Sequence, residues 1–319
     1  MPAASRSALS LARVCGAAAC WGLAAIMAKY GFEHGVPPVR MAAARVAIAL
    51  VVLLGVLLGL LAAGRRGLLR PPRGAWPLLA GIGASIAAVN VSYYVAIDRL
   101  PVGVAISLQY TGPVMLLAWA ALVGRRSPGR TAWLACALAL AGAVLVSRAL
   151  EAGARGDPLG IAAALTAAVT FGTTLLLAEV LARRGAHPAT VLLWGFAAAS
   201  VIWSVVAPWW SFPWPALGRA DVAAAVVGVG IVGTLVPFLL EVGAVKVLPA
   251  ALAGIALTSE PVFAAGFAWL LLGERLTPAQ LAGGALTLAG VALAQVSAAA
   301  TDPTAPPATS ARRSRTEAA

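Results

Sequence analysis

Long apolar stretches alternate with short connections along almost the whole chain. A helix needs about 20 mostly apolar residues to cross the hydrocarbon core of a bilayer. Ten stretches reach or nearly reach that length: residues 11–30, 39–61, 76–97, 102–123, 131–147, 159–181, 189–207, 222–245, 250–272 and 279–297. Unbroken runs of this kind indicate helices, since the strands of a membrane barrel alternate between apolar and polar positions. The pattern therefore predicts an all-α integral membrane protein with ten transmembrane helices.

The composition excludes other classes of protein. Hydrophobic residues make up 61% of the 319 residues and charged residues 11%, with a mean hydropathy of +0.92. A soluble domain faces water with its outer surface and carries about 25% charged residues, so a soluble enzyme and a disordered chain are both excluded. The net charge of +12 does not indicate nucleic acid as a partner, because no folded basic domain accompanies it.

Arginine and lysine in the connections predict the orientation, because these residues concentrate on the cytoplasmic side of membrane proteins. With the N-terminus inside, fifteen of them fall on the cytoplasmic side and six on the other side. We therefore expect a multi-pass plasma-membrane protein with both termini cytoplasmic. The tryptophan-rich connection 207–221 is expected at the outer interface. Residues 298–319, rich in Ala, Thr, Ser, Pro and Arg, are expected to form a disordered cytoplasmic tail.

Two halves of the chain resemble each other. At an offset of 148 residues, matched features recur in the same order: Leu100-Pro101 with Leu248-Pro249, Pro113 with Pro261, and Leu140-Ala141-Gly142 with Leu288-Ala289-Gly290. We predict one repeat over residues 1–147 and a second over 148–297, each with five spans. Because five is odd, the second repeat enters the membrane inverted. Inverted repeats around a site near the bilayer midplane are a recurring architecture of secondary transporters.

The order of residues resembles the EamA domain of the drug/metabolite transporter superfamily in both halves. The resemblance rests on Trp21-Gly22, Lys29 and Arg45 near the start, and on Glu260-Pro261, the segment 271–278 and Leu288-Ala289-Gly290 near the end. It implies ten helices, cytoplasmic termini, a central cavity between the halves and the export of metabolites.

A narrower resemblance is to the bacterial threonine/homoserine exporter branch of that superfamily. It rests on the segments 100–105 and 109–113, on Pro237 and Leu240-Glu241, and on Leu248-Pro249 with Ser259-Glu260-Pro261. The branch tends to have an acidic residue where this chain has Gln109. The resemblance implies export of an amino acid, with a different metabolite or a drug as the alternative substrate.

Five charged residues fall inside the predicted spans, where each costs about 2.5–3.5 kcal/mol on insertion scales and therefore tends to face a cavity or a partner. Glu241 and Glu260 lie deepest, and a carboxyl group at such depth can bind a substrate ammonium or carry a proton. Lys29, Arg45 and Glu179 are candidate coupling residues or charge partners. For these three, snorkelling or anchoring at the interface is the alternative.

Uncharged polar groups near the same depth complete the predicted site. We expect Asn90, Tyr94, Gln109 and Tyr110 to bind substrate together with the two glutamates. Pro113 and Pro261 occupy equivalent points in the fourth and ninth spans, where each removes a backbone donor and kinks the helix. Such kinks either shape helix packing or expose carbonyl groups to the cavity.

These observations favour a secondary transporter that works by alternating access, with a small-molecule substrate and, as one alternative, a coupled proton. The sequence contains no phosphate-binding loop for ATP, and its Cys and His residues have no metal-ligand spacing, so we expect neither cofactor nor metal. An integral membrane enzyme and a non-transporting sensor are the other classes that remain. Small residues in spans five and ten fit either packing within the chain or a homodimer.

Overall fold

The computed structural model describes residues 3–64, 68–100, 102–123, 128–150 and 157–300, which form helices and their connections without any strand. Thirteen α-helices follow one another: α1 (Ala3–Glu33), α2 (Pro38–Ala62), α3 (Trp76–Arg99), α4 (Val102–Gln109), α5 (Gly112–Leu122), α6 (Arg130–Val146), α7 (Pro158–Arg183), α8 (Pro188–Val206), α9 (Ala220–Gly230), α10 (Val236–Ala244), α11 (Ala250–Leu257), α12 (Glu260–Leu272) and α13 (Pro278–Ala300). The connections holding Arg65, Arg66, Arg125, Arg126 and Arg155, and the predicted tail from residue 301, lie outside the described residues.

Nine spans among the described residues are long and apolar enough to cross a membrane. The pairs α4–α5, α9–α10 and α11–α12 each make one of them. The remaining predicted span, the fifth, is α6, which has 17 residues and is therefore about 26 Å long at 1.5 Å per residue. It is slightly shorter than a hydrocarbon core of about 30 Å. The all-helical architecture is confirmed, while the count of ten depends on this shorter helix.

Three spans are interrupted, and a proline follows each interruption. Pro113 and Pro261 lie in the first turns of α5 and α12, next to the breaks after α4 and α11. Between α9 and α10 the chain forms a π-helical turn, Ile231–Leu235, and Pro237 follows it. A proline has no N–H to offer the carbonyl four residues earlier, so each span exposes backbone acceptors near its middle.

The two halves pack chiefly against each other rather than within themselves. The broadest contacts pair α3 with α7 and α8, α1 with α10 and α12, and α6 with α13. Span three corresponds to span eight, and span six corresponds to span one. The contact of α3 with α7 (spans three and six) therefore has its counterpart in the contact of α10 with α1 (spans eight and one). This is the contact pattern of two repeats related by a pseudo-two-fold axis.

Glycines of α6 and α13 lie at the contact between these two helices, where there is no room for a side chain. A methyl group on Gly142 would lie 2.4 Å from the carbonyl oxygen of Gly283, and one on Gly290 would lie 2.6 Å from the backbone nitrogen of Ala139. These helices approach so closely that only glycine fits at the contact. Packing within the chain therefore accounts for these small residues.

Polar contacts also join the halves at the ends of the spans. Tyr30 of α1 donates a hydrogen bond to Asp221 of α9 at 2.7 Å. Arg99, at the end of α3, forms a 3.0 Å ion pair with Asp157, which caps α7. The backbone N–H of Gly160 and the Arg99 guanidinium hold the pKa of the Asp157 carboxyl below its usual value.

Candidate functional site

A cavity of about 130 Å³ lies between the two repeats, close to all three helix interruptions. Spans from both halves build its wall, so neither repeat forms it alone. Its lining residues are Trp21, Arg45, Val89, Asn90, Tyr93, Ile106, Gln109, Tyr110, Phe171, Thr174, Phe238, Glu241 and Glu260. Aromatic rings and three ionisable side chains dominate this list.

Glu260 is held by a tyrosine from the other repeat. The hydroxyl of Tyr110 donates to Oε2 of Glu260 at 2.5 Å. Each residue occupies a break in its span: Tyr110 follows α4, and Glu260 begins α12. Because the helices are interrupted there, both side chains reach the cavity from points near the middle of the membrane. The bond closes the contact between spans four and nine.

Glu241 has no such partner. Its side chain lies on α10, is 1% exposed, and neither carboxylate oxygen accepts a hydrogen bond from the described residues. A buried ionised carboxylate without a partner is strongly unfavourable. Glu241 therefore needs either a bound proton or a cation from the cavity. An orphaned carboxyl group in the wall of a cavity is the feature expected of a binding site rather than of a structural core.

Arg45 of α2 supplies positive charge to the same wall. Its Nη2 donates to the carbonyl oxygen of Gly233, and its Nε donates to Oγ1 of Thr234 at 2.7 Å. Both acceptors belong to the π-helical turn, and Pro237 lacks the N–H that would otherwise occupy the Gly233 carbonyl. The arginine thus binds an acceptor that the helix interruption has freed.

The remaining wall combines hydrogen-bonding groups with aromatic rings. The side-chain carbonyl oxygen of Gln109 is buried and accepts no hydrogen bond from the described residues. The side-chain amide of Asn90 donates to the carbonyl oxygen of Ile86 at 2.7 Å. Trp21 and Phe238 meet edge to face, with ring centroids 5.7 Å apart. A polar solute in this cavity would find both polar partners and flat apolar surfaces.

Five of the six predicted substrate-binding residues line the cavity, namely Asn90, Gln109, Tyr110, Glu241 and Glu260. Tyr94 is not part of the wall. Its ring packs beside Tyr93, with centroids 6.1 Å apart, and it is Tyr93 that faces the cavity. Asn90 and Tyr94 are four positions apart on α3, but Tyr93 is the tyrosine that lies on the cavity side.

The three predicted charge partners have separate positions. Arg45 lines the cavity, whereas Lys29 is exposed. Glu179 forms an ion pair with Arg183 at 2.6 Å and accepts a hydrogen bond from the backbone N–H of Ala250 at 2.7 Å. Glu179 therefore caps the start of α11 and is not paired with Lys29. Among the described residues, no group of three His, Cys, Asp or Glu side chains could hold a metal ion.

Besides Tyr93, six wall residues were not predicted from the sequence: Trp21, Val89, Ile106, Phe171, Thr174 and Phe238. Aromatic residues in an apolar span carry no signal of their own. From the sequence, Arg45 could either anchor its helix at the membrane interface or serve the site as a coupling residue or charge partner. The signal that favours the cavity is Pro237, four residues after Gly233, because it predicts a free carbonyl that an arginine could bind.

Two interlocked repeats of membrane-spanning helices, with ionisable side chains around a cavity between them, form the architecture of a polytopic membrane transporter. The EamA-like transporter family matches residues 8–148 and 158–295, and the chain belongs to that family. The chain is 31% identical over 201 residues to the threonine/homoserine exporter RhtA of Escherichia coli strain K12. That match covers 62% of this chain and 64% of the relative, which is less than two thirds of the relative's length.

Other relatives agree with this assignment. A threonine/homoserine exporter RhtA of Salmonella typhimurium is 29% identical over 206 residues, covering 62% of this chain and 64% of the relative. An uncharacterized transporter of Archaeoglobus fulgidus is 30% identical over 203 residues, covering 64% of this chain and 70% of the relative. One solved crystal structure superposes with a TM-score of 0.72 at 21% identity, covering 92% of this chain and 98% of the other, which shows a shared fold.

The state of Glu241 leads to a prediction about stability. Glu241→Met should raise the free energy of unfolding by about 1–3 kcal/mol, because methionine fills a similar volume without burying an unpaired polar group. Thermal unfolding of the purified protein in detergent measures this change. The matched control is Glu179→Met, which loses bonds to Arg183 and Ala250 and should lower the unfolding temperature. Destabilisation by both substitutions would mean that Glu241 has a structural role.

Proposed function

We propose that this protein is a secondary transporter that exports a small amino acid of the threonine or homoserine type by alternating access. The observation that carries the proposal is the pair of carboxyl groups in the cavity wall: Glu241 without a partner and Glu260 bonded to Tyr110. An amino acid brings an ammonium group that either carboxylate can bind. The relatives named as threonine/homoserine exporters support the choice of substrate.

The size of the cavity supports a small solute. Sites for drug-sized ligands occupy about 300–1,000 Å³, whereas this cavity measures about 130 Å³. The amide of Gln109 and the side chain of Asn90 offer hydrogen bonds to the uncharged parts of such a solute. The contact pattern between the repeats supports alternating access, because pseudo-symmetric halves can exchange conformations and open the same site to either side.

A proton is the coupling ion that fits this site. Glu241 needs compensation at all times, from a proton or from the substrate ammonium. Binding of the ammonium on the cytoplasmic side would release the proton, and release of the substrate outside would let a proton bind again. One substrate would leave for each proton that enters. This exchange makes the carboxyl group the shared site of two ligands that bind in turn.

We place the protein in the plasma membrane with both termini cytoplasmic. The excess of arginine in the connections assigned to the inner side supports this orientation.

In a variant without native cysteines, Ser211→Cys should react with a membrane-impermeant maleimide added to intact cells, because Ser211 is exposed in the connection 207–221. Arg184→Cys, exposed in the connection after α7, serves as the control and should react only after the membrane is opened. Labelling with the reverse sidedness would refute the orientation.

Glu260→Gln should reduce transport by at least tenfold, because it removes the negative charge that faces the cavity, while the amide oxygen can still accept the hydrogen bond of Tyr110. Counterflow of radiolabelled L-threonine in proteoliposomes measures this effect. Glu274→Gln is the matched control, since Glu274 is exposed at the end of α12, and it should retain wild-type flux. Wild-type flux in the Glu260→Gln variant would end the claim that this residue serves the site.

Transport should respond to a pH gradient at clamped membrane voltage. With an acidic lumen, proteoliposomes should accumulate L-threonine, because protons leaving the lumen drive the substrate inward. Glu241→Gln should abolish this response, since an amide cannot exchange a proton. A wild-type flux that is unaffected by collapsing the gradient would contradict coupling. That result would leave alternating access without a proton as the mechanism.

A further inference from the structure

The guanidinium of Arg45 is a charged group whose present partners are neutral. It is the one arginine or lysine among the described residues that line the cavity. Its hydrogen-bonding partners are the backbone carbonyl of Gly233 and the side chains of Thr234 and Tyr94, and it forms no ion pair within the described part of the chain. A half-buried cation that faces neutral acceptors in a cavity wall has unused capacity for an anion.

The way Arg45 is held suits a binding group. Thr234 accepts the Nε bond while its own hydroxyl donates to the carbonyl oxygen of Val229 at 3.0 Å, so the threonine is fixed in place. The Nη2 bond uses the Gly233 carbonyl. The side chain of Tyr94, next to the cavity residue Tyr93, is a further hydrogen-bonding partner of the guanidinium. Side chains fixed before binding lose little entropy when the ligand arrives.

The attachment point is unusual in its backbone. The turn Ile231–Leu235 is π-helical, and such turns in otherwise regular helices occur frequently at functional sites. Glycine is required there, because a methyl group on Gly233 would lie 2.5 Å from the Cβ of Ala24. Arg45 therefore joins α2 of the first repeat to the irregular segment of the second repeat. Glu241 lies on α10, which continues from that segment.

We propose that Arg45 binds the carboxylate of the substrate, with the π-helical turn holding the guanidinium ready. This inference rests on the proposed function, since it takes the cargo to be an amino acid. It assigns the two charged ends of that zwitterion: the carboxylate meets Arg45, and the ammonium meets Glu241 or Glu260. Amines without a carboxylate leave the arginine without an ion-pair partner and bind weakly.

The ligand pair that tests this inference is L-threonine and L-threoninamide, which share the ammonium and the side chain and differ in the negative charge. Calorimetry on the purified wild-type protein in detergent measures both affinities. We expect L-threonine to bind at least tenfold more tightly than the amide. In Arg45→Gln this ratio should fall to about threefold or less, while binding of the amide is retained.

Thr234→Val is the matched control, because it removes the hydroxyl that positions Nε but keeps the arginine. Thr234→Val should keep most of the preference for L-threonine over the amide. If a variant fails to fold, the ratio of the two affinities in the wild-type protein still tests the proposal. Equal affinity of the wild-type protein for both ligands, or an unchanged preference in Arg45→Gln, overturns the assignment of Arg45 and leaves amino-acid export standing. Failure of the wild-type protein to bind any amino acid overturns both proposals.

Discussion

Charge inside a hydrocarbon environment has to be compensated, and the central cavity depends on how its three ionisable groups meet that requirement. Arg45 meets it with neutral partners, namely Gly233, Thr234 and Tyr94, and Glu260 with the hydroxyl of Tyr110 and the nearby charge of Arg45. Glu241 has no hydrogen-bond partner among the described residues. Charge compensation is thus partial for Arg45 and Glu260 and absent for Glu241. A protein selected for stability alone would have apolar residues at these positions. A proton or a substrate ammonium can compensate the Glu241 carboxyl group. The side chain that lowers stability is therefore also the one that serves transport.

The interlocking of the repeats brings these groups together. Spans from both halves contribute to the wall of the cavity, and the helix interruptions beside Pro113, Pro237 and Pro261 place polar backbone and side chains near mid-span. The two repeats share the arrangement of their helices but not the charged residues of the cavity. At the offset of 148 residues that relates the later parts of the halves, Tyr93 is the counterpart of Glu241 and Gly112 that of Glu260. Similar scaffolds thus carry different chemistry, which allows two sides of one site to bind opposite ends of a zwitterion.

Much of this arrangement is readable from the sequence, for identifiable reasons. Hydropathy sets the spans because hydrocarbon tolerates only hydrogen-bonded helical backbone, and Glu241 and Glu260 stand out because charge at that depth is rare. The direction in which a side chain points is harder to predict. Tyr94 and Tyr93 differ by one position on α3, yet Tyr93 lines the cavity while Tyr94 interacts with Arg45. The partner of Glu179 is Arg183 on the same helix, and an ion pair of this kind gives a polar residue in a span a purely structural role. The resulting signal is indistinguishable from that of a binding residue.

Accessibility of the cavity from both sides of the membrane tests the central claim most directly. Val89 lines the cavity without a side-chain hydrogen bond, so Val89→Cys in a cysteine-free background is a mild probe of that space. The account predicts that a membrane-impermeant thiosulfonate modifies this cysteine from either face of oriented proteoliposomes, and that L-threonine slows the reaction from both. Modification from one face alone, or a rate that L-threonine leaves unchanged, would contradict a single substrate site that opens to each side in turn.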